Sequence, residues 1–299
     1  MKWLKDFHNG NECHLFRVKK RLARERSRYQ LIEVVDTYEY GKCLFLDGKI
    51  QVSEKDEYIY HELLVHPAMV THPDPEKVLI IGGGDGFILR EVLKYDNVKE
   101  ITVIDIDKKV IDITKKYMHE ESSCLFDDVR VLIKYTDGRK FLEVNKEKYD
   151  VIITDLSEPL EEGASTLLFT REFYSAVSKA LKKGGIASVH AISPVGAYKK
   201  IHIAIHNTLC YIFRYVKLYY GFVPSFNLQW GFAIASKVHD PEKLSKAEVR
   251  RRLRGRKVKG LRYYDETLHR GLFAIPRDIR TDIKNDRTII TDKHPMWVK

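Results

Sequence analysis

The hydrophobic pattern of this chain predicts an α/β fold, a doubly wound and mostly parallel sheet, preceded by a small β-rich unit. Three observations carry that prediction. From Lys77 onward, continuous apolar runs alternate with amphipathic stretches of helical spacing, the pattern of a parallel sheet covered on both faces. Before Lys77, the opening fifty residues hold short runs rich in β-branched and aromatic residues, which read as strands. Between the first apolar run of the alternating region and its helix stands "GGGDG" at 82–86, a glycine turn through which backbone can approach a ligand closely.

Taken in order, "YQLIEVVDT" and "KCLFLDG" are predicted strands joined by the turn-like "YEYGK". "YIYHELLVHPAMVTH" has helical spacing and stops at the prolines of "HPDP". Next, "KVLIIGG", "ITVIDID", "VRVLI", "YDVIITD" and "GIASVHA" are strands. The helices between them are "GFILREVLKY", "KKVIDITKKYM", "GRKFLEV" and "TREFYSAVSKALKK". "VKLYYGFV" and "WGFAIAS" lie close enough to form an antiparallel pair. The expectation is an N-terminal β-rich domain over 1–55 and a Rossmann-like domain over 56–299, of the class I methyltransferase type.

Bulk properties narrow the function. A chain of 299 residues, 44% hydrophobic and 31% charged, can bury a large core and is built like an ordinary globular protein. No apolar run approaches the roughly 18 residues of a membrane span, and "MKWLKDFHNG" lacks a signal-peptide core. Cys13, Cys43, Cys124 and Cys210 are scattered, which suits reduced thiols in a cytoplasm. The formal charge of +10 raises a nucleic-acid hypothesis. The excess sits mainly in "RVKKRLARERSRY" (17–29) and "KLSKAEVRRRLRGRKVKGLRYY" (243–264). Neither run has the aromatic interleaving of a single-strand platform, so both read as solvated faces. Gln30, Gln51 and Gln229 are the only glutamines among many Lys and Glu, a composition that points to a thermophile.

The acids are placed against the net charge. Asp85 follows the first strand of the alternating region, Asp105 ends the second, Asp137 follows the third and Asp155 ends the fourth. Ligands in open parallel sheets bind beyond those carboxyl ends. Asp105, about twenty residues past the glycine turn, is positioned to hold a ribose hydroxyl. Asp85 would repel a pyrophosphate from its own loop, so a sulfonium cofactor such as S-adenosylmethionine suits the turn better than a dinucleotide. Asp137 is either a helix N-cap before "GRKFLEV" or an adenine contact. An N-cap at Asp155 would not require the further acids of "DLSEPLEEGASTLLFT" (155–170). That segment reads as an acidic lid for a polycation. Local charge decides what binds, since screening cuts off the rest beyond about 10 Å.

These residues resemble the spermidine synthase, or polyamine aminopropyltransferase, family. The matching stretches include "SRYQ" (27–30), "LFLDGKIQVSEKDEYIYHELLVHP" (44–67), "VLIIGGGDGFILREVLKY" (78–95), "VIDID" (103–107), "TDGRKFL" (136–142), "YDVIITDLSEP" (149–159), "LFTREFY" (168–174) and "LRYYDETLHRGLFAIP" (261–276). The resemblance implies transfer of an aminopropyl group from decarboxylated S-adenosylmethionine to an amine, without a metal or a resident cofactor, releasing methylthioadenosine. It implies that Gln30, Gln51, Asp85, Asp105 and Asp137, with Gly82 and Gly84 of the turn, hold the donor. Tyr60, His61, Asp155 and Glu158 would line the acceptor path, with Asp155 as the catalytic acid and 155–170 as a gatekeeping loop. It also implies a homodimer or homotetramer assembled through the N-terminal region.

Departures from the family pattern bear on the acceptor. "DxxD" becomes "DLSE", which gives Glu158 a longer arm. A strand-end glutamine becomes His190, either structural or an acceptor contact. The tyrosine of "PTY" becomes Phe226 in "VPSFNLQWGF", and "PSF" followed by Trp230 and glycine resembles the thermospermine synthase branch. Loss of that hydroxyl removes an anchor for a short diamine. The reading therefore favours spermidine as acceptor, with putrescine, another diamine or agmatine as the alternative. The rivals of other classes are a methyltransferase using intact S-adenosylmethionine and a nucleic-acid-binding protein.

Overall fold

The computed structural model describes residues 2–9, 12–118, 123–161, 163 and 165–298. Glu162 and Ala164 of the acidic segment lie outside them. The N-terminal sheet is antiparallel, in the order β1 (Lys2–Asn9), β2 (Glu12–Arg26), β3 (Leu31–Thr37), β4 (Gly41–Leu46) and β5 (Lys49–Ser53). The strand predicted in "KCLFLDG" is present as β4 and ends at Leu46, two residues before the end of that run. Asp47 and Gly48 take positive φ, 47° and 81°, the geometry of a two-residue hairpin whose twist matches its strands. The chain doubles back, Leu46 pairs with Lys49, and β5 becomes an unforeseen fifth strand. On β2 only Phe16 and Ala23 are buried, so the first basic run is solvated as expected.

After α1 (Glu57–Thr71) come β6 (Lys77–Gly82), α2 (Phe87–Leu93), β7 (Glu100–Asp105), α3 (Lys108–Tyr117), β8 (Val131–Tyr135), α4 (Gly138–Val144), β9 (Tyr149–Asp155), α5 (Arg171–Ala180), β10 (Leu181–His190) and α6 (Lys199–Cys210). The second basic run contributes α7 (Lys246–Gly255). The predicted antiparallel pair is present as β11 (Tyr215–Val223) and β12 (Leu228–Ser236). One prediction overran: α5 stops at Ala180, and Leu181 already pairs with Tyr149 of β9. The sheet order is β11-β12-β10-β9-β6-β7-β8. Strand β6 has β7 on one side and β9 on the other, so the winding reverses there, where ligands bind in such sheets. Val78 to Ile81 and Val151 to Ile153 are fully buried, which explains why these strands read as unbroken apolar runs.

Helix α1 is buried on nearly every side, although it carries Glu57, His61, Glu62 and His66. Each has a partner. The Glu62 carboxylate accepts the backbone N–H groups of Arg262, Tyr263 and Tyr264 at 2.7–2.8 Å. His66 Nε2 lies 2.9 Å from Glu91 Oε2 and its Nδ1 2.8 Å from the Tyr95 hydroxyl. At the carboxyl end, Arg252 donates to the carbonyls of Val70 and Thr71, and Arg256 to those of Met69, His72 and Pro73. Cations are favoured at the carbonyl end of a helix. The basic run 243–264 thus contributes two arginines that hold the carboxyl end of α1.

Candidate active site

A cavity of about 500 Å³ opens at the switch point, lined from both sheets. At its floor Gly82 pairs in register with Asp155. A Cβ on Gly82 would lie 1.7 Å from the Asp155 carbonyl oxygen, and φ there is +85°, so only glycine fits. A Cβ on Gly84 would meet Asp105 Oδ2 at 2.6 Å. The turn therefore packs directly against the two strand-end acids.

One end of the cavity is formed by Gln30, Gln51, Gly84, Asp105 and Asp137. Asp105 Oδ1 accepts the backbone N–H of Asp107 at 2.8 Å. Burial, reinforced by the charges of Asp107 and Asp85, pushes its carboxyl up to about 7. Gln30 and Ser27 both donate to Asp107 Oδ2, at 3.1 and 2.6 Å. This contact ties β3's leading loop to the end of β7. The Gln51 amide donates to Lys49 O at 3.2 Å. Asp137 does cap α4, accepting the N–H groups of Arg139 and Lys140 at 2.8 and 3.0 Å, and it lines the cavity as well. The two sequence readings of Asp137 are compatible.

The centre holds Asp85, Asp155 and Tyr60. The Tyr60 hydroxyl donates to Asp155 Oδ1 at 2.6 Å, and Asp85 Oδ1 accepts the N–H of Phe87 at 3.0 Å. His61 departs from expectation, because it is buried and does not line the cavity. Its Nε2 lies 3.6 Å from Asp85 Oδ2, and its Nδ1 2.7 Å from Glu57 O and 3.0 Å from Glu57 Oε2. Burial opposes charge on the ring, but Asp85 and Glu57 outweigh it and lift His61 to about 10. Arg90 holds Glu57 through two 2.8 Å bonds. Burial and the charge of Asp85 push Asp155 up to about 6, against the pull of His61 and Tyr60. Ligand atoms of His61, Asp85 and Asp155 lie within 4.8 Å of one another. With acceptors facing both ring nitrogens, His61 is a cation without a free lone pair, so this cluster suits an organic cation better than a metal ion.

The other end contains Glu158, His190, Phe226 and Trp230. Glu158 Oε2 is buried without a hydrogen-bond partner, and burial pushes the carboxyl up to about 7. His190 Nδ1 lies 2.8 Å from Leu156 O. A carbonyl only accepts, so Nδ1 carries the proton and burial, which lowers the ring to about 4, keeps it neutral. The ring stacks on Trp230 at 5.3 Å, and Phe226 stands 5.1 Å from the same indole. Sequence reasoning missed Asp6, His8, Lys49 and Tyr198, which also line this end. The available signal was alternation along β1, which puts Leu4, Asp6 and His8 on one face and the exposed Trp3, Lys5 and Phe7 on the other. Asp56 was missed too. It fixes "PSF" by accepting from Ser225 N at 2.6 Å and Ser225 Oγ at 2.8 Å.

Comparison with known proteins bears directly on this arrangement. The family model "Spermine/spermidine synthase domain" matches residues 57–245, and "Spermidine synthase tetramerisation domain" matches residues 2–54. A polyamine aminopropyltransferase of Saccharolobus islandicus is 39% identical over 297 residues, covering 99% of this chain and 98% of its own. One from Sulfurisphaera tokodaii is 39% identical over 296 residues, with 99% and 98% covered. Relatives of this kind come from thermophilic archaea. Among solved structures, a spermidine synthase in complex with the transition-state analogue AdoDATO superimposes with a TM-score of 0.88 at 33% identity, covering 95% of this chain and 96% of that one. Spermidine synthase from Thermotoga maritima gives 0.86 at 33%, with 96% and 95% covered. The methyltransferase and nucleic-acid readings give way. This chain belongs to the spermine/spermidine synthase family, and it is a polyamine aminopropyltransferase whose co-substrate is decarboxylated S-adenosylmethionine.

Proposed function

We propose that the acceptor is spermidine or an amine of similar length, and that Asp155 takes its proton. The observation that carries the acceptor reading is a pair of carboxylates beyond the centre, the buried Asp6 and the half-buried Glu158 with its Oε2 withdrawn from water, both lining the same cavity. A diamine has one ammonium besides the attacking nitrogen; a triamine has two, and the pair supplies a place for the more distant one. Phe226, where the family pattern has tyrosine, leaves the intervening wall apolar, as the methylene chain of a longer acceptor requires.

The donor brings an ammonium and a sulfonium, and Asp85 favours it over intact S-adenosylmethionine, whose carboxylate it would repel. Asp105 and Asp137 would hold the adenosine portion, with Gln30 and Gln51 completing that end. The attacking amine nitrogen forms a bond to the methylene beside sulfur, the carbon–sulfur bond breaks, and sulfur keeps the electron pair as a neutral thioether. The proton leaving nitrogen goes to Asp155. An amine resembling lysine has a pKa of about 10.4 and an ordinary Asp about 3.9, so lifting Asp155 to about 6 narrows the gap. Tyr60 orients the carboxylate that receives it, and orientation itself contributes.

The reading also covers assembly and compartment. Trp3, Phe7 and Leu15 are about half exposed on the β1–β2 hairpin, inside the stretch that matches a tetramerisation domain. An exposed apolar face at a sheet edge supports self-association through that hairpin. Cys13, Cys43, Cys124 and Cys210 are all free thiols, which suits a reducing cytoplasm. The test of the acceptor is competition: the protein is given decarboxylated S-adenosylmethionine with equimolar putrescine, diaminopropane, agmatine and spermidine, and products are identified by mass spectrometry. A tetraamine formed first supports the proposal, and spermidine formed first from putrescine overturns it.

A further inference from the structure

Among the described residues lining the cavity, Lys49 alone brings a lysine or arginine charge, against eight carboxylates that include Asp6, Asp85, Asp155 and Glu158. A cation is out of place in a pocket built for cations. Its position is fixed, however. The Asp47–Gly48 hairpin aims it at the start of β5, and its Nζ donates to the Phe7 carbonyl of β1. The same Nζ lies 3.7 Å from Asp6 Oδ1. The Asp6 side chain is only 5% exposed. Its Oδ2 accepts the N–H of Ile50 at 3.3 Å, while Oδ1 makes no hydrogen bond. Glu158 Oε2 is likewise buried and without a partner, and Lys49 is the foremost charge favouring its ionised form. Tyr198, whose hydroxyl donates to His8 O at 2.6 Å, closes the same corner.

We propose that Lys49 is a specificity-determining residue, a built-in counter-cation that neutralises one of the two carboxylates at the acceptor end and so sets how many remote ammonium groups an acceptor can bring there. This rests on the aminopropyl-acceptor reading above. With Asp6 and Glu158 ionised and Lys49 charged, the corner carries one net negative charge and takes one remote ammonium. Without the lysine charge it carries two. An acceptor too short to reach the corner gains nothing from that change, whereas a triamine gains and a tetraamine gains more.

The experiment compares acceptor KM values for putrescine, spermidine and spermine in wild type, Lys49→Gln, Lys49→Arg and Asp6→Asn at saturating donor. Lys49→Gln removes the charge and leaves an N–H donor on a side chain one atom shorter. One charge at this range, partly screened, corresponds to a change of about tenfold. The expected result is a KM for spermidine and spermine lowered by about that factor relative to putrescine, a steeper salt dependence, and wild-type ratios in Lys49→Arg. Asp6→Asn should move the ratios the opposite way, which keeps the proposal testable if Lys49→Gln folds poorly. Equal changes for all three amines, or a loss specific to the longer ones in Lys49→Gln, would overturn it. Absence of transfer to any amine by the wild type would instead overturn the underlying functional reading.

Discussion

The pH dependence of the reaction offers the most direct test of how the centre is wired, through the substitution His61→Gln. On the proposed mechanism, Asp155 must be ionised in the wild type to take the amine proton. Activity should therefore fall as the pH drops through about 6, the value to which burial and Asp85 raise this carboxyl. His61 opposes that rise with its positive charge. Its nitrogen and the nearest Asp155 oxygen are no more than 4.8 Å apart. At an effective dielectric constant of about 20, opposite charges 4.8 Å apart attract by about 3.5 kcal/mol, or about 2.5 pH units. The glutamine amide and entering water recover part of it. The acidic limb of kcat/KM for the acceptor, at saturating donor, should move upward by one unit or more (about 1–2.5). The amine's own ionisation affects both enzymes alike and drops out of the comparison. Glu57 keeps its two bonds to Arg90 in the variant, so the fold loses little. An acidic limb that stays in place, in a variant that melts normally and binds the donor, would refute the charge linkage from Glu57 through His61 and Asp85 to Asp155.

Two further outcomes test neighbouring parts of the argument. Tyr60→Phe removes the 2.6 Å donor to Asp155; a hydrogen bond to a charged group is worth about 1.5–3 kcal/mol, so kcat/KM should fall about 10- to 150-fold with the acidic limb shifted upward, as read from steady-state profiles. Arg256→Ala leaves the carbonyls of Met69, His72 and Pro73 without their donor and should cost about 3 kcal/mol in urea unfolding, while the donor Kd measured by calorimetry stays unchanged.

The parallel half of the molecule was legible because strands buried on both faces cannot hide a polar residue. "KVLIIGG" and "YDVIITD" carry that constraint in their letters, and the acids that end them mark the ligand side. β5 was not legible, since "KIQVS" is short, and only the positive φ of Asp47 and Gly48 separates it from β4. Asp6 and Lys49 were missed for a different reason. Each is an ordinary charged residue in its own segment, and nothing local predicts that a lysine forty residues on meets the carbonyl of Phe7. His61 shows the converse failure. The i,i+4 relation to Glu57 was visible in the chain, but the charge that Asp85 and Glu57 impose on the ring arises only from packing.

The contrast between a chain of +10 and an acidic cavity resolves once the two populations of charge are separated. Apart from Lys49, the lysines and arginines stay out of the cavity, many of them on the solvent face of β2, on α7 and at the carboxyl end of α1. Three acids of the cavity are withdrawn from water, and burial lifts Asp105 and Glu158 to about 7 and Asp155 to about 6. Near neutral pH the vacant site is therefore only partly ionised. A sulfonium or ammonium entering it favours the charged carboxylates and drives their protons off, since an opposite charge within a few ångströms lowers a buried carboxyl. Much of the negative potential is thus generated by the substrate that needs it, and this lets several carboxylates share a 500 Å³ cavity without the full cost of burying them as bare charges.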